Sequence, residues 1–218
     1  MTTPLRLLAL LSFTLLLSAC QSAYYDAMER VGVHKRDILV DRVEAAQQAQ
    51  VDGQQQFQSA LDQFKAVVAV DGGELEKCYR SLDAEYQASI DAAETIRTRI
   101  AAVDAVAQAL FKEWRSELGQ YSNPALKAES EKNLKATQQR YQQLFAAMEA
   151  SERSIKPVLA TLQDHVLYLK HNLNARAINA IRGEADTIDT HVQHLINDMQ
   201  RAINEADRFL AQLHSTDG

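Results

Sequence analysis

Apolar residues recur at alternating intervals of three and four along most of the chain, the spacing that places them on one face of an α-helix in a coiled coil. The pattern fills four stretches, at about residues 35–70, 74–120, 125–170 and 174–214. No stretch has the two-residue alternation of a half-buried β-strand. The chain is therefore predicted to be all-α.

Short polar segments separate these stretches. Asp71-Gly72-Gly73 ends the first, because tandem glycines supply the positive φ of a helix stop, and Asn123-Pro124 begins the third with a good N-cap and a proline at the first helical position. The last boundary is placed at residues 172–174, with Gly183 as the alternative. Short connections make consecutive helices antiparallel neighbours. We therefore predict an elongated antiparallel up-down four-helix coiled-coil bundle over residues 35–218.

The first 20 residues form a different kind of segment. Leu7 to Leu17 is a largely apolar run of 11 residues. It is shorter than the roughly 20 residues that span a bilayer but typical of a signal-peptide core. The run ends in Leu17-Ser18-Ala19-Cys20, which resembles the bacterial lipobox. The resemblance implies removal of residues 1–19 and lipid modification of Cys20, whose acyl chains would anchor the protein stably to a membrane.

Residues 20–34 are predicted to be the lipidated cysteine and a tether, with a short helix at Tyr24 to Arg30 that Gly32 ends. Gln21 follows the cysteine, whereas an Asp there favours retention in the inner membrane in enteric-type sorting. We therefore expect a protein of the cell envelope that is lipid-anchored at the outer membrane and faces the periplasm.

Charge and composition exclude several function classes. The formal net charge is -6 and the Lys and Arg residues are scattered. Contacts to phosphates need clustered cations, so no nucleic-acid partner is expected. The sequence contains no Gly-rich phosphate loop and no nucleophile elbow, and no set of nucleophile, base and orienting group can be assembled. We expect a protein that is not an enzyme and has no cofactor.

A family resemblance extends from about Tyr24 to Leu213. The stretches that carry it are AMERVGVHKRDILVDRVEAA, LDQFKAVV with DGGELE, FKEWRSELGQYSNPAL and VLYLKHNLNARAI. They resemble an uncharacterised bacterial lipoprotein family, the domain of unknown function 2959. The resemblance implies an exported all-helical protein and implies no activity, cofactor or catalytic residue.

Two histidines and an acid share one side of the predicted fourth helix. His191 and His194 are three residues apart and Asp198 follows four residues later, a spacing that could present metal ligands. Metal sites in helical bundles use a Glu three residues before a His on each of two helices, and no histidine here has an acid at that position. No metal is expected. These three residues are predicted to lie on a solvated or half-buried flank of the helix, and metal binding is the alternative.

Two further side chains have titratable or reactive groups. His165 lies on the apolar seam of the third helix, where a neutral histidine bonded across the bundle is expected and a proton sensor is the alternative. Cys78 lies near the start of the second helix. It is predicted to be a buried, inert thiol rather than a redox centre, because no partner cysteine is available.

Polar side chains also interrupt the apolar seams in the middle of the predicted bundle. Folding the helices back at the three breaks brings several of them to one level, namely Gln47, Gln50, Gln54, Ser89, Ser151, His191 and His194. This mid-bundle polar layer either fixes the helix register, as buried polar residues commonly do in coiled coils, or forms a hydrated slot for a ligand.

The first and third breaks are predicted to lie at the same tip of the bundle. This tip is the one farthest from Cys20, about 50–70 Å away along the helices. Its polar residues either cap helix ends or bind a partner. They are Asp71, Glu74, Lys170, His171, Asn172, Asn174 and Arg176. We expect a structural or interaction module with a membrane anchor at Cys20 and a protein partner or self-association at this tip. The alternative is a small-ligand-binding or metal-binding bundle that uses the mid-bundle polar layer.

Overall fold

A computed structural model describes residue 28 and residues 32–69, 75–172 and 175–215, without the side chains of residues 175–177 and 215. This part of the chain contains five α-helices and one 3₁₀ turn, and no β-strand. They are α1 Lys35–Ala69, α2 Leu75–Glu117, the 3₁₀ turn Leu118–Gln120, α3 Pro124–His171, α4 Ala175–Arg182 and α5 Ala185–Ser215. The all-α prediction is confirmed. Within the described ranges, no helix is long and apolar enough to cross a membrane.

Two helix boundaries follow the local capping chemistry. The side chain of Asn123 accepts hydrogen bonds from the backbone N–H groups of Ala125 at 2.9 Å and Leu126 at 3.4 Å, so it caps α3 as predicted. Gly32 has a φ of 86°. Val33 N donates to the carbonyl of the helical residue Met28 at 3.0 Å, a pairing typical of a helix that ends on a left-handed glycine.

The last predicted helix is divided in two. A turn at Gly183 and Glu184 separates α4 from α5, so the prediction of one unbroken helix from residue 174 to 214 is wrong. Both boundaries considered from the sequence are present. Glycine costs a helix interior about 1 kcal/mol relative to alanine. The start of α5 has favourable contacts of its own. The Glu184 carbonyl accepts a hydrogen bond from the Ile188 N–H at 3.1 Å, and the negative charge of Asp186 in the first turn complements the helix dipole.

The long helices pack in a closed order. α1 packs against α2 and α5, and α3 packs against the same two helices. At one end Lys35 Nζ donates to Glu113 Oε1 at 3.2 Å, which joins the start of α1 to the end of α2. At the other end Arg182 Nε donates to the carbonyl of Val68 at 2.8 Å, which joins the end of α1 to the end of α4.

The apolar positions spaced by three and four residues form most of the core. In α3 the positions at this spacing from Leu134 to Leu169 are buried, and so are those of α5 from Ile188 to Leu213. In α1 and α2 several of them are only half-buried, namely Val40, Gln47, Gln54, Tyr79, Tyr86, Leu110 and Trp114. α3 continues without a break through Pro157. Burial of such large side chains contributes about 1.5–3 kcal/mol each, and this term drives the helices together.

Gly53 lies in the middle of α1, where three helices approach closely. A Cβ atom at this position would lie 2.7 Å from Ile96 Cδ1 of α2 and 3.2 Å from Met199 Cε of α5. The absence of a side chain therefore allows α1 to lie close to both neighbours.

Candidate functional site

Three of the predicted tip residues are described, and all three lie at the end of α3. Lys170 and His171 are exposed in the last turn, where a cation complements the helix dipole. Asn172 caps the helix, since its backbone N–H donates to the Leu169 carbonyl at 3.2 Å and its Nδ2 donates to the Tyr168 carbonyl at 3.0 Å. Helix-end chemistry therefore accounts for these contacts, while both cationic side chains remain accessible.

The other residues predicted from the sequence to form the working surface lie outside the described residues. They are Cys20, Asp71, Glu74 and Asn174, and the side chain of Arg176. Their roles stay predictions.

Arg182 joins the short helix α4 to α1, a contact that the sequence pattern did not predict. Its Nε donates to the Val68 carbonyl at 2.8 Å and its Nη1 donates to Asn179 Oδ1 at 3.0 Å. The last carbonyls of a helix have no partner within the helix, so this guanidinium stabilises the end of α1. The signal in the sequence is a cation in the last turn of a short helix that precedes a glycine.

In the mid-bundle polar layer, Gln50 and Ser151 join α1 to α3. Gln50 is completely buried, and its Nε2 donates to Ser151 Oγ at 2.9 Å. The Ser151 hydroxyl in turn donates to the Met148 carbonyl at 2.8 Å. The other amide atom, Gln50 Oε1, is buried and has no hydrogen-bond partner. The predicted proximity of Gln50 and Ser151 is confirmed.

The remaining members of the predicted layer are distributed over several turns. Gln47 donates to Asp207 Oδ1 at 2.6 Å, and Gln54 donates to the Ile196 carbonyl at 3.1 Å, so both reach α5 rather than Ser151. Ser89 bonds within its own helix, to the Glu85 carbonyl at 2.8 Å. The contacts of Gln47 and Gln54 fix the position of α1 relative to α5, and the donors of all three side chains are satisfied.

The histidine pair on α5 does not converge on one point. His191 Nδ1 lies 3.4 Å from Thr161 Oγ1, whereas His194 Nδ1 lies 3.3 Å from both Ser154 Oγ and Asp198 Oδ2. Among the described residues there is no group of three or more His, Cys, Asp or Glu side chains placed to hold a metal ion.

Asp198 is the buried member of that set, with an exposed fraction of 4%. Its carboxylate accepts hydrogen bonds from the Ser154 hydroxyl and the Arg201 guanidinium. Burial alone would raise the pKa of Asp198, but the bonds from Ser154 and Arg201 and the nearby His194 together hold this pKa below its usual value. The arrangement positions α3 on α5 and occupies the oxygens that a metal would need. Neither Ser154 nor this burial was predicted from the sequence.

His165 is also buried, with an exposed fraction of 6%. The centre of its ring lies 4.8 Å from that of Phe64, with the two ring planes tilted by 31°. Burial lowers the pKa of His165, and the charges of Glu184 and Asp164 only partly oppose this shift. The ring is therefore neutral near pH 7. The expected bond across the bundle is not made by Nδ1, which is buried without a partner.

Cys78 is buried and free, in line with the prediction of an enclosed thiol.

Two comparisons with known proteins bear on the chain. A search of curated proteins finds no match to it. A family model, described as a protein of unknown function (DUF2959), matches residues 24–213 and so covers most of the chain. This match agrees with the resemblance seen in the sequence and reaches from the predicted tether to the last turns of α5. The chain therefore belongs to the DUF2959 family.

Proposed function

We propose that the chain is a non-enzymatic, lipid-anchored interaction module of the cell envelope. In this proposal Cys20 holds the protein to the outer membrane on its periplasmic side. Residues 35–218 form an elongated antiparallel up-down four-helix coiled-coil bundle. The tip opposite the lipid binds a protein partner or a second copy. The order of side-chain pairs between neighbouring helices supports the bundle, and the exposed cations Lys170 and His171 at the end of α3 are the observation that supports a binding tip.

Residue pairs between α1 and α2 run in opposite order along the two helices. Lys35 pairs with Glu113 at 3.2 Å, and Gln56, six turns later, pairs with Glu85 at 2.8 Å. The other three neighbouring pairs of long helices have the same reversed order. Their contacts are Trp114–Ser130 and Arg97–Glu152, Ser154–His194 and Thr161–His191, and Gln47–Asp207 and Gln54–Ile196. This order supports the up-down arrangement.

The lengths of the helices favour a rod that reaches away from a bilayer. α1 has 35 residues and α3 has 48, which correspond to about 50 Å and about 70 Å at the helical rise. The proposed tip carries exposed Lys170 and His171 beside the other polar residues predicted there. Such a mixed surface suits recognition through hydrogen bonds and charge.

The lipid anchor is tested by metabolic labelling with an alkyne fatty acid. Wild-type protein should take up label and fractionate with membranes, and Cys20→Ser should do neither because the acceptor thiol is lost. Cys78→Ser is the matched control. It should keep the label, because Cys20 is unchanged and the buried Cys78 is not the acceptor in this proposal. Label that persists in Cys20→Ser would contradict the anchor.

The working tip is tested by photo-crosslinking in cells from a probe at Lys170 or His171, with the exposed Lys127 at the other end of α3 as the control position. A discrete adduct from the tip and none from Lys127 is expected. Asn174→Ala combined with Arg176→Ala should remove the adduct while the melting temperature stays nearly unchanged. An equal yield from Lys127 would place the contact elsewhere.

A further inference from the structure

A cavity of about 530 Å³ opens between the last turns of α3 and the turn that joins α4 to α5. We name it the α3–α4 cavity. Its wall contains two carboxylates, Asp164 and Glu184, and the ring of Tyr168, with apolar surface from Ala180 and Ile181. None of these residues was assigned a role from the sequence.

His165 also lines the α3–α4 cavity. Its side chain is more than nine-tenths buried, and its Nδ1 has no hydrogen-bond partner. Buried polar atoms in native proteins are almost always paired, so an unpaired one needs a specific reason. A neutral imidazole offers one acceptor nitrogen. The residues that line the cavity therefore include one with an unmet hydrogen-bonding group, enclosed beneath the wall, in addition to the exposed Asp164 and Glu184.

Within the described part of the chain, neither Asp164 nor Glu184 forms an ion pair with a Lys or Arg. Both carboxylates act electrostatically on His165, so their negative potential extends across the cavity wall. A ligand here meets two negative charges, an aromatic ring and an aliphatic surface.

We infer that the α3–α4 cavity binds a primary alkylammonium group. Its charge lies between Asp164 and Glu184, and its methylene stem packs on Ile181 and the Tyr168 ring, which also attracts a cation through its face. A metal ion is disfavoured, because among the described residues no three His, Cys, Asp or Glu side chains converge as ligands. Two sources supply this chemistry, a free diamine or polyamine and a lysine side chain of another protein.

This inference does not depend on the lipid anchor or on the proposed partner at the tip. Failure of the labelling experiment on Cys20 would leave it standing, and its own failure would leave the anchor unaffected.

Isothermal titration calorimetry of the purified protein with 1,5-diaminopentane at low salt tests the inference. We expect saturable binding with a Kd of about 1 mM or tighter, and no binding of the uncharged pentan-1-ol. Asp164→Asn and Glu184→Gln should each weaken binding about threefold to fivefold, and the two together about tenfold or more. Glu131→Gln removes one exposed carboxylate from the far end of α3 and should change nothing.

A second variant blocks the cavity without changing its charge. Ala180 is exposed on α4, so Ala180→Phe should fold normally by circular dichroism and abolish binding. Tighter binding of 1,5-diaminopentane than of an acetyl-lysine amide would support a free amine as the ligand. The reverse order would support a lysine side chain. Absence of saturable heat at about 10 mM ligand, ten times the expected Kd, would overturn the inference. So would a double variant that binds as well as Glu131→Gln.

Discussion

Replacement of Gln50 by Met is expected to leave the protein at least as stable as it is now, although it removes a buried hydrogen bond. The change keeps the length of the side chain and deletes both amide heteroatoms. Ser151 Oγ, the partner of Gln50, keeps its bond to the Met148 carbonyl at 2.8 Å. The variant therefore leaves no donor newly unpaired.

The expected magnitude follows from two opposed contributions. The bond from Gln50 Nε2 to Ser151 contributes about 1 kcal/mol net, while the unpaired, completely buried Oε1 costs about 1–3 kcal/mol. Removal of both should change the free energy of unfolding by between about 0 and 2 kcal/mol in the stabilising direction. Ser151→Ala instead leaves Nε2 unpaired beside Oε1 and should destabilise the protein by about 1–3 kcal/mol.

Urea unfolding followed by circular dichroism measures these differences through the transition midpoint. Gln48→Met is the matched control. Gln48 is exposed and pairs with Asp52 on its own helix at 2.8 Å, so the change should stay within about 0.5 kcal/mol. Destabilisation by more than about 1 kcal/mol in Gln50→Met would refute the reasoning, because it would mean that Oε1 is satisfied by a buried water. Molecular mass from light scattering would detect any change in oligomeric state.

Substitutions at three further positions test other contacts. Burial lowers the pKa of His165 below the value of about 6.5 that it has in the unfolded chain. The contribution of the neutral ring to stability is therefore complete above about pH 6.5 and is lost as the pH falls below that value. His165→Leu should reduce the loss of stability seen between about pH 6.5 and 5 in urea titrations. The pKa of Asp198 is held low, so its contribution is present above the unfolded pKa of about 3.9 and is lost as the pH falls through the folded value; Asp198→Ala should destabilise by about 1–3 kcal/mol at pH 7 and by less in acid. Asn123→Ala should cost about 0.5–2 kcal/mol in thermal unfolding through loss of the α3 cap, whereas Asn123→Asp should keep most of it.

The sequence predicts the helices well because their signals are local. Spacing of three and four residues identifies most of the buried face of α3 and misses Ser154 and Val166, which are also buried. The Asn123-Pro124 pair identifies its start through capping that needs only neighbouring residues. Gly183 was harder to interpret. A glycine in a helical pattern either continues the helix at a cost or ends it, and the choice depends on what the next segment packs against.

The candidate sites were less predictable because their properties depend on contacts between helices. Gln47, Gln50 and Gln54 have equivalent positions on one seam, yet only Gln50 is completely buried. Asp198 looks like a flanking acid in the sequence, and its burial arises because Ser154 of α3 lies opposite. How deeply a side chain is buried depends on where two helices approach each other. The spacing of residues within one helix carries no information on that point.

Gly53 gives the bundle a mechanical property. At Gly53 the tips of Ile96 of α2 and Met199 of α5 occupy the space that a side chain of α1 would otherwise take. About one helical turn before Gly53, Gln50 donates a hydrogen bond to Ser151 and so joins α1 to α3, the remaining long helix. We expect these contacts together to resist sliding of α1 along the other long helices, so that a pull on one end of α1 would be shared with α2, α3 and α5.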